Sequence, residues 1–265
     1  MGGESTTRTA PRGGTGSVPA GGRLGQRVSG LAVALGMVLF LGGFVWGAVV
    51  YRPYTVPTGS MTPTIGVGDR VLAQRIGSGD IHRGDVVVFT DKSWVSNAPV
   101  VKRVVAVGGD TVSCCTDGKL TVNGKEIDEP YLPRGAAAEV SGIPTVKVPK
   151  GRLFLLGDER HGSLDSTAHL TDAARGTVAV GAVTARVDAV VWPMDGMLPR
   201  PTGFRALGPL SEPGPLRTMV ALIAAGAVLV LAGGAYGPVA KRVGAVRRRT
   251  RPGADGTRAG ADGAC

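Results

Sequence analysis

The stretch "DVVVFTDKSWVSNAPVVKRVVAVGGD" (residues 85–110) holds two runs of mostly β-branched residues, 86–90 and 100–107, with a polar segment between them. Runs this short, bounded by Asp, Pro and Gly, are typical of β-strands rather than helices. Comparable runs recur on both sides of the stretch, in "RVLAQRI", "TVSCC", "KLTVNG", "TVKVP", "RLFLLGD" and "ARVDAVVWP". The sequence therefore predicts a mostly β, antiparallel domain.

A small β insertion is predicted inside this domain. The Asn123-Gly124 pair in "TVNGKEI" is the signal for a tight hairpin turn. Glycine and proline around "GGDTV" and "VPKGR" indicate that both ends of the insertion return to the same sheet. We therefore place the main β domain at residues 52–108 and 150–205, and the insertion at residues 109–149.

Two uncharged apolar runs flank the β region, at residues 28–51 and 218–240. Each is long enough to cross a hydrocarbon layer, which takes about 20 apolar residues. We predict a transmembrane helix at each, with a linker at residues 206–217. The alternatives are a cleaved signal peptide for the first run, although its apolar core exceeds the usual length of about 7–15 residues, and a buried helix of a soluble core for the second.

The formal net charge of +10 is concentrated at the two ends of the chain. Residues 1–27 carry +3 and residues 241–265 carry +5. The first tail, rich in Gly, Ser, Thr and Pro, is predicted to be disordered. Because Arg and Lys outside the spans mark the cytoplasmic side, we expect a two-span protein of the cell membrane, with both termini cytoplasmic and residues 52–217 extracytoplasmic. A nearly neutral middle argues against a nucleic-acid partner.

Cysteine and histidine give no metal or redox site in this sequence. Cys114 and Cys115 are adjacent, and a bond between neighbours requires a strained ring, so we expect incidental thiols. Cys265 lies in the predicted cytoplasmic tail. The three histidines are scattered and no Cys/His cluster has zinc spacing. We expect no metal and no cofactor.

A serine in a turn and a lysine in a strand are the candidate catalytic pair. Ser60 in "VPTGSMTPT" needs a base to act as a nucleophile, and no histidine has a convincing partner. Lys102 stands among valines, where desolvation disfavours the charged amine. Lowering its pKa from about 10.4 to about 8 takes about 3 kcal/mol. By pattern alone, a surface loop and an outward-facing strand lysine remain open alternatives.

Further polar groups are available to such a pair. The Ser60 N–H and the Thr58 hydroxyl are candidate donors to an oxyanion. In "LLGDERHGSLDSTAHL" a loop follows an apolar strand and carries Ser163 and Asp165. Ser163 is a candidate to orient the lysine amine without adding charge. A solvated turn is the alternative for this loop.

These segments, in this order, resemble type I signal peptidases, the membrane-bound Ser/Lys proteases that cut export signals from secreted proteins. "PTGSMTPTIGVGDRVL" is similar to the serine box of that family, "RGDVVVF" to its next strand, "VVKRVVAVGGD" to its lysine box and "LGDERHGSLDS" to its last box. The resemblance extends from about Pro53 to Pro193. It implies a LexA-like antiparallel β fold, in a form like that of Gram-positive actinobacteria with an extra C-terminal span.

The resemblance also implies a role for each candidate residue. Ser60 would be the nucleophile and Lys102 the general base. Thr58 and the Ser60 N–H would form the oxyanion hole. Ser163 would orient the lysine, and Asp165 would support the site. Met61 and Arg103, which adjoin the two catalytic positions, would be structural.

Two positions depart from the family pattern. Glu159 stands where the family has asparagine in Gly-Asp-Asn-Arg, and Thr167 stands where it has arginine. The second departure leaves the partner of Asp165 open, with Arg160 and Arg103 as candidates.

The implied substrates are secretory preproteins with Ala-x-Ala-like cleavage sites, and the implied partners are membrane lipid and the protein export machinery. The substrate would lie extended beside an exposed strand, with small residues at −1 and −3 from the cut. One alternative is a self-cleaving protease of the LexA type, which would be soluble and carry a helix-turn-helix. Another is a catalytically impaired signal-peptidase-like membrane protein that binds precursors or export machinery, which the altered last box favours.

Overall fold

The structure is a computed structural model, and it describes residues 21–95, 98–116, 119–133, 136 and 143–249. The chain divides into two compact units. A helical unit falls within Met1–Gly43 and Ala221–Cys265, and a β unit comprises Phe44–Val220.

Two long helices run through the helical unit, α1 (Gly21–Val50) and α2 (Leu216–Arg249). Their apolar segments have mean hydropathies of 2.3 and 2.2 and are long enough to cross a membrane. Inside the unit the two backbones approach closely, since a Cβ on Gly36 would lie 2.8 Å from the Gly226 carbonyl oxygen. The Ser29 hydroxyl donates a hydrogen bond to the Gly233 carbonyl at 2.7 Å. Small residues at such positions are typical of packed membrane helices.

The helix ends differ from the predicted boundaries. Residues 21–27, assigned to the disordered tail, are helical, because each residue added to an existing helix gains a backbone hydrogen bond. Tyr51, assigned to the first span, instead begins a strand. The other predicted tail residues, 1–20 and 250–265, lie outside the described residues.

The β unit consists of antiparallel strands, which confirms the predicted fold class. Its strands are β1 (Tyr51–Thr55), β2 (Arg70–Gln74), β3 (Val86–Phe89), β4 (Val100–Val107), β5 (Thr111–Thr116), β6 (Lys119–Val122), β7 (Lys125–Glu126), β8 (Val146–Lys147), β9 (Arg152–Leu156), β10 (Thr177–Ala179), β11 (Val183–Trp192) and β12 (Gly196–Met197). The main sheet has the order β1-β2-β11-β3-β4-β9-β10, and β12 pairs with β11. Strand β4 is thus an interior strand, with β3 and β9 as its neighbours.

The segment between β4 and β9 forms a second sheet of four strands, in the order β7-β6-β5-β8. The predicted hairpin turn is confirmed: Asn123 and Gly124 both have positive φ, 53° and 73°, as a type I′ turn requires. The two ends of this insertion meet, since the Gly109 N–H donates to the Val148 carbonyl at 2.9 Å. Cys114 on β5 is disulfide-bonded, where we had expected an incidental thiol.

The predicted linker, residues 206–217, is fixed to the β unit up to the start of α2. A short 3-10 helix (Thr202–Leu207) overlaps its first two residues and buries Phe204. Carbonyl oxygens of the segment then accept hydrogen bonds from charged side chains of the β unit, Leu207 from Arg83 and Glu212 from Arg186. The segment is ordered because these partners satisfy its backbone.

Candidate active site

Ser60 lies in a loop, residues 56–69, that is closed at its base. There the Val56 N–H donates to the Asp69 carbonyl at 2.9 Å. Met61, directly after Ser60, has no exposed surface and packs in the core below the loop, in agreement with its predicted structural role. A serine half-exposed beside a fully buried neighbour is held in position by that neighbour's packing.

Lys102 contacts Ser60 from the interior strand β4, where it lies opposite Val87 of β3. Only 3% of Lys102 is exposed, and its Nζ lies 2.7 Å from Ser60 Oγ, within hydrogen-bond distance. Burial lowers the pKa of Lys102 to about 8, against the opposing effect of Asp165 and Asp158, which raise it. An appreciable fraction of the Lys102 amine is therefore deprotonated near physiological pH, as the sequence predicted.

Asp165 lies in the loop that follows β9, and the structure identifies its partners. One carboxylate oxygen accepts the Gly157 N–H at 2.9 Å. The other accepts the N–H and the hydroxyl of Thr167, at 3.0 and 2.8 Å. Neither of the two candidates, Arg160 and Arg103, forms an ion pair with Asp165. Thr167, the residue in place of the family's arginine, bonds to Asp165 itself.

Both arginines instead form ion pairs with other buried carboxylates. Arg103 Nη2 lies 2.6 Å from Asp158 Oδ2, and its guanidinium carbon lies 3.9 Å from the centre of the Tyr131 ring. Arg160 Nη2 lies 2.5 Å from Glu129 Oε1. Glu129 and Tyr131 belong to the insertion, and sequence reasoning missed them because no local pattern marks a partner some 30 residues away.

Ser163 is half-buried, and its Oγ is buried close to the backbone of Ser60. A Cβ at Gly157 would lie 2.1 Å from Ser163 Oγ and 2.5 Å from the Ser60 carbonyl oxygen, so both flank a glycine that has room for nothing larger. Among the described residues, Ser163 Oγ is a buried polar atom without a hydrogen-bond partner. Lys102 Nζ bonds to Ser60 in this state, and the predicted orientation of Lys102 by Ser163 stays a prediction.

A cavity of about 460 Å³ opens over Ser60 and Lys102. Residues 54–60 and 98–102 line it, mostly with apolar and small side chains, and Thr58 is among them. Its lining also includes Glu159, whose backbone N–H donates to the Ser60 carbonyl at 3.2 Å. A hydroxyl and a buried amine in contact in the lining of a mostly apolar cavity are suited to nucleophilic attack on a peptide carbonyl.

The chain matches the family described as "Signal peptidase, peptidase S26" over residues 27–192. It is 37% identical over 199 residues to signal peptidase I of Mycobacterium tuberculosis, covering 57% of this chain and 68% of that protein. It is 33% identical over 180 residues to signal peptidase IB of Staphylococcus aureus, covering 62% and 87%.

A solved signal peptidase I from Enterococcus faecalis is 25% identical, with a TM-score of 0.30, and the match covers 45% of this chain and 97% of that one. On the sequence matches, the chain belongs to the signal peptidase family, peptidase S26, whose members are serine peptidases that remove signal peptides from secretory preproteins.

Proposed function

We propose that Ser60 and Lys102 carry out the peptidase reaction of this chain, as nucleophile and general base, and that cleavage follows small residues. The observation that supports this most strongly is the 2.7 Å contact between Ser60 Oγ and the buried Lys102 Nζ. A neutral amine in that position accepts the serine proton, and serine is a weak nucleophile without such a base.

In the first half of the reaction, Lys102 takes the proton of the Ser60 hydroxyl as Oγ attacks the scissile carbonyl. The tetrahedral oxyanion accepts hydrogen bonds from the Ser60 N–H and from the hydroxyl of Thr58, which lines the same cavity. Lys102 then gives the proton to the leaving amine, which departs as the new N-terminus of the mature protein. The signal peptide remains bound to Ser60 as an acyl ester.

In the second half, Lys102 activates a water that hydrolyses the ester, and Ser60 is regenerated. Asp165 supports this step by holding the Gly157 N–H, and with it the loop beside Ser60. Ser163, whose buried Oγ lies next to Gly157, supplies a hydroxyl that orients the lysine amine once the amine no longer bonds to Ser60. A neutral hydroxyl orients the amine without adding a charge that would raise its pKa.

The substrate binds as an extended peptide along residues 54–58 and 98–101. Such a peptide pairs its backbone with an exposed strand and places alternate side chains toward the protein. The small and apolar lining favours small residues at −1 and −3, as in Ala-x-Ala.

The chain would act at the outer surface of the cell membrane, as a two-span protein with cytoplasmic termini. Ser60 comes only nine residues after Tyr51, the residue that follows the first apolar helix. Nine residues span at most about 30 Å when fully extended, so Ser60 lies no farther than that from the end of the helix. The net charges of +3 and +5 at the two ends of the chain favour the cytoplasmic side. Membrane lipid and the export machinery, which delivers the precursor, are the partners of this arrangement.

The test is cleavage of a secretory precursor by the full chain, purified in detergent or lipid, with the cut located by mass spectrometry. Ser60→Ala and Lys102→Ala should each lower the rate by at least about 10³-fold. Lys147→Ala, which removes an exposed lysine on β8, should keep the wild-type rate. Cleavage that survives either active-site substitution in folded protein would refute the assignment.

A further inference from the structure

Glu159 brings an acidic side chain into the substrate cavity. It is half-buried, and its Oε2 accepts the Gly162 N–H at 2.6 Å, which fixes the carboxylate at the cavity surface. Its backbone N–H bonds to the Ser60 carbonyl at 3.2 Å, so the residue directly adjoins the nucleophile. Of the described residues that line the cavity, only Glu159 carries a carboxylate and only Lys102 carries an amine.

The other carboxylates close to the site differ from Glu159 in having strong partners. Asp158 is paired with Arg103 at 2.6 Å, and Asp165 accepts hydrogen bonds from Gly157 and Thr167. For Glu159 Oε1, the described part of the chain provides neither a hydrogen bond nor a cation within salt-bridge distance. Glu159 is therefore the carboxylate near the site that remains available to interact with charged groups of a bound peptide.

The location of Glu159 in the cavity indicates which part of the substrate it would contact. Residues 54–58 and 98–101 line the cavity with extended, mostly apolar segments that suit the small residues before the cut. The other lining residues Glu159, Gly162 and Leu164 belong to the loop after β9. Because the proposed function assigns residues 54–58 and 98–101 to the part of the substrate before the cut, we assign this loop to the residues that follow it.

We propose that Glu159 determines specificity on the mature side of the cut, favouring precursors with Lys or Arg at +1 to +3 and disfavouring those with Asp or Glu there. A carboxylate at the cavity surface attracts the first class and repels the second. This inference rests on the proposed peptidase function of Ser60 and Lys102, and it adds a determinant that the apolar lining does not supply.

The experiment uses the full chain and synthetic precursor peptides that are identical except for one residue, Lys, Ala or Asp, placed in turn at −3, −2, +1, +2 or +3. The readout is the ratio of kcat/KM for the Lys peptide to that for the Asp peptide. In the wild type this ratio should be about fivefold to tenfold at a mature-side position, the size expected of partly exposed charge pairs. Glu159→Gln should bring the ratio near one, whereas Glu126→Gln, the same change at an exposed position on β7, should keep it.

Each result separates this inference from the function on which it rests. If the wild type cuts the Ala peptide but shows a ratio near one, or shows the preference only before the cut, the role of Glu159 is refuted and the peptidase function stands. If folded wild type cuts none of the peptides, the proposed function itself fails.

A measurement on the wild type alone keeps the test decisive if Glu159→Gln does not fold. The charge preference should fall toward one between low salt and about 1 M salt, where the screening length is about 3 Å. A preference that does not change with salt would contradict an electrostatic origin at Glu159.

Discussion

At the residue scale, two consecutive residues of β4 point to opposite faces of the sheet and serve different purposes. Lys102 contacts Ser60, and Arg103 pairs with Asp158. The sequence predicted a strand at both residues, but it did not predict that both side chains are buried, because burial depends on contacts with segments distant in the chain. The contact between Ser60 and Lys102 was therefore expected from the resemblance of the two segments, whereas the arginine pairings were not.

Thr58 allows a test of the proposed oxyanion hole at this scale. Thr58→Val keeps the shape of the side chain and removes the hydroxyl, so kcat should fall by about 10²-fold or more with little change in KM. Thr58→Ser should retain most of the activity. The measurement is steady-state cleavage of a precursor peptide, with Thr121→Val on β6 as the matched control. Wild-type kcat in Thr58→Val would remove Thr58 from the mechanism.

At the element scale, the insertion is tied to the loop after β9 by the Arg160–Glu129 pair. Both side chains are nearly inaccessible, at 1% and 3% exposure. Glu129→Gln leaves the Arg160 charge buried without its counterion, which typically costs about 3–5 kcal/mol. We expect the Tm of the full chain in detergent to fall by about 10 °C.

The matched control is Glu126→Gln in the same insertion. Glu126 pairs with Lys119 at 3.4 Å, but both side chains are about half exposed, so its loss should shift the Tm by less than about 3 °C. Equal Tm shifts for the two variants would show that the buried pair does not hold the insertion in place.

The positions of the strands could be predicted from sequence patterns, but their order in the sheet could not. Short β-branched runs predicted the strands, and Asn123-Gly124 predicted a turn, because both signals are local. The placement of β11 between β2 and β3 leaves no such signal, since its partners are more than 90 residues away in the chain. Strand existence was therefore predictable, and strand order was not.

At the scale of the whole molecule, composition predicted the two apolar helices and the concentration of charge at the ends of the chain. It missed the attachment of residues 206–215 to the β unit. That attachment uses carbonyl oxygens, such as those of Ala206 and Leu207, which accept from Lys125 and Arg83. Every residue has a carbonyl oxygen, so no side-chain pattern marks such a contact.

The most direct test of the central claim is the pH dependence of kcat/KM, measured with a peptide that has no titrating group between pH 6 and pH 10. Burial lowers the pKa of Lys102 to about 8, and only the neutral amine accepts the Ser60 proton. Activity should therefore fall about tenfold per pH unit below pH 8 and level off above it. A flat profile, or a limb near the ordinary lysine pKa of about 10.4, would contradict the account of Lys102 as a buried general base.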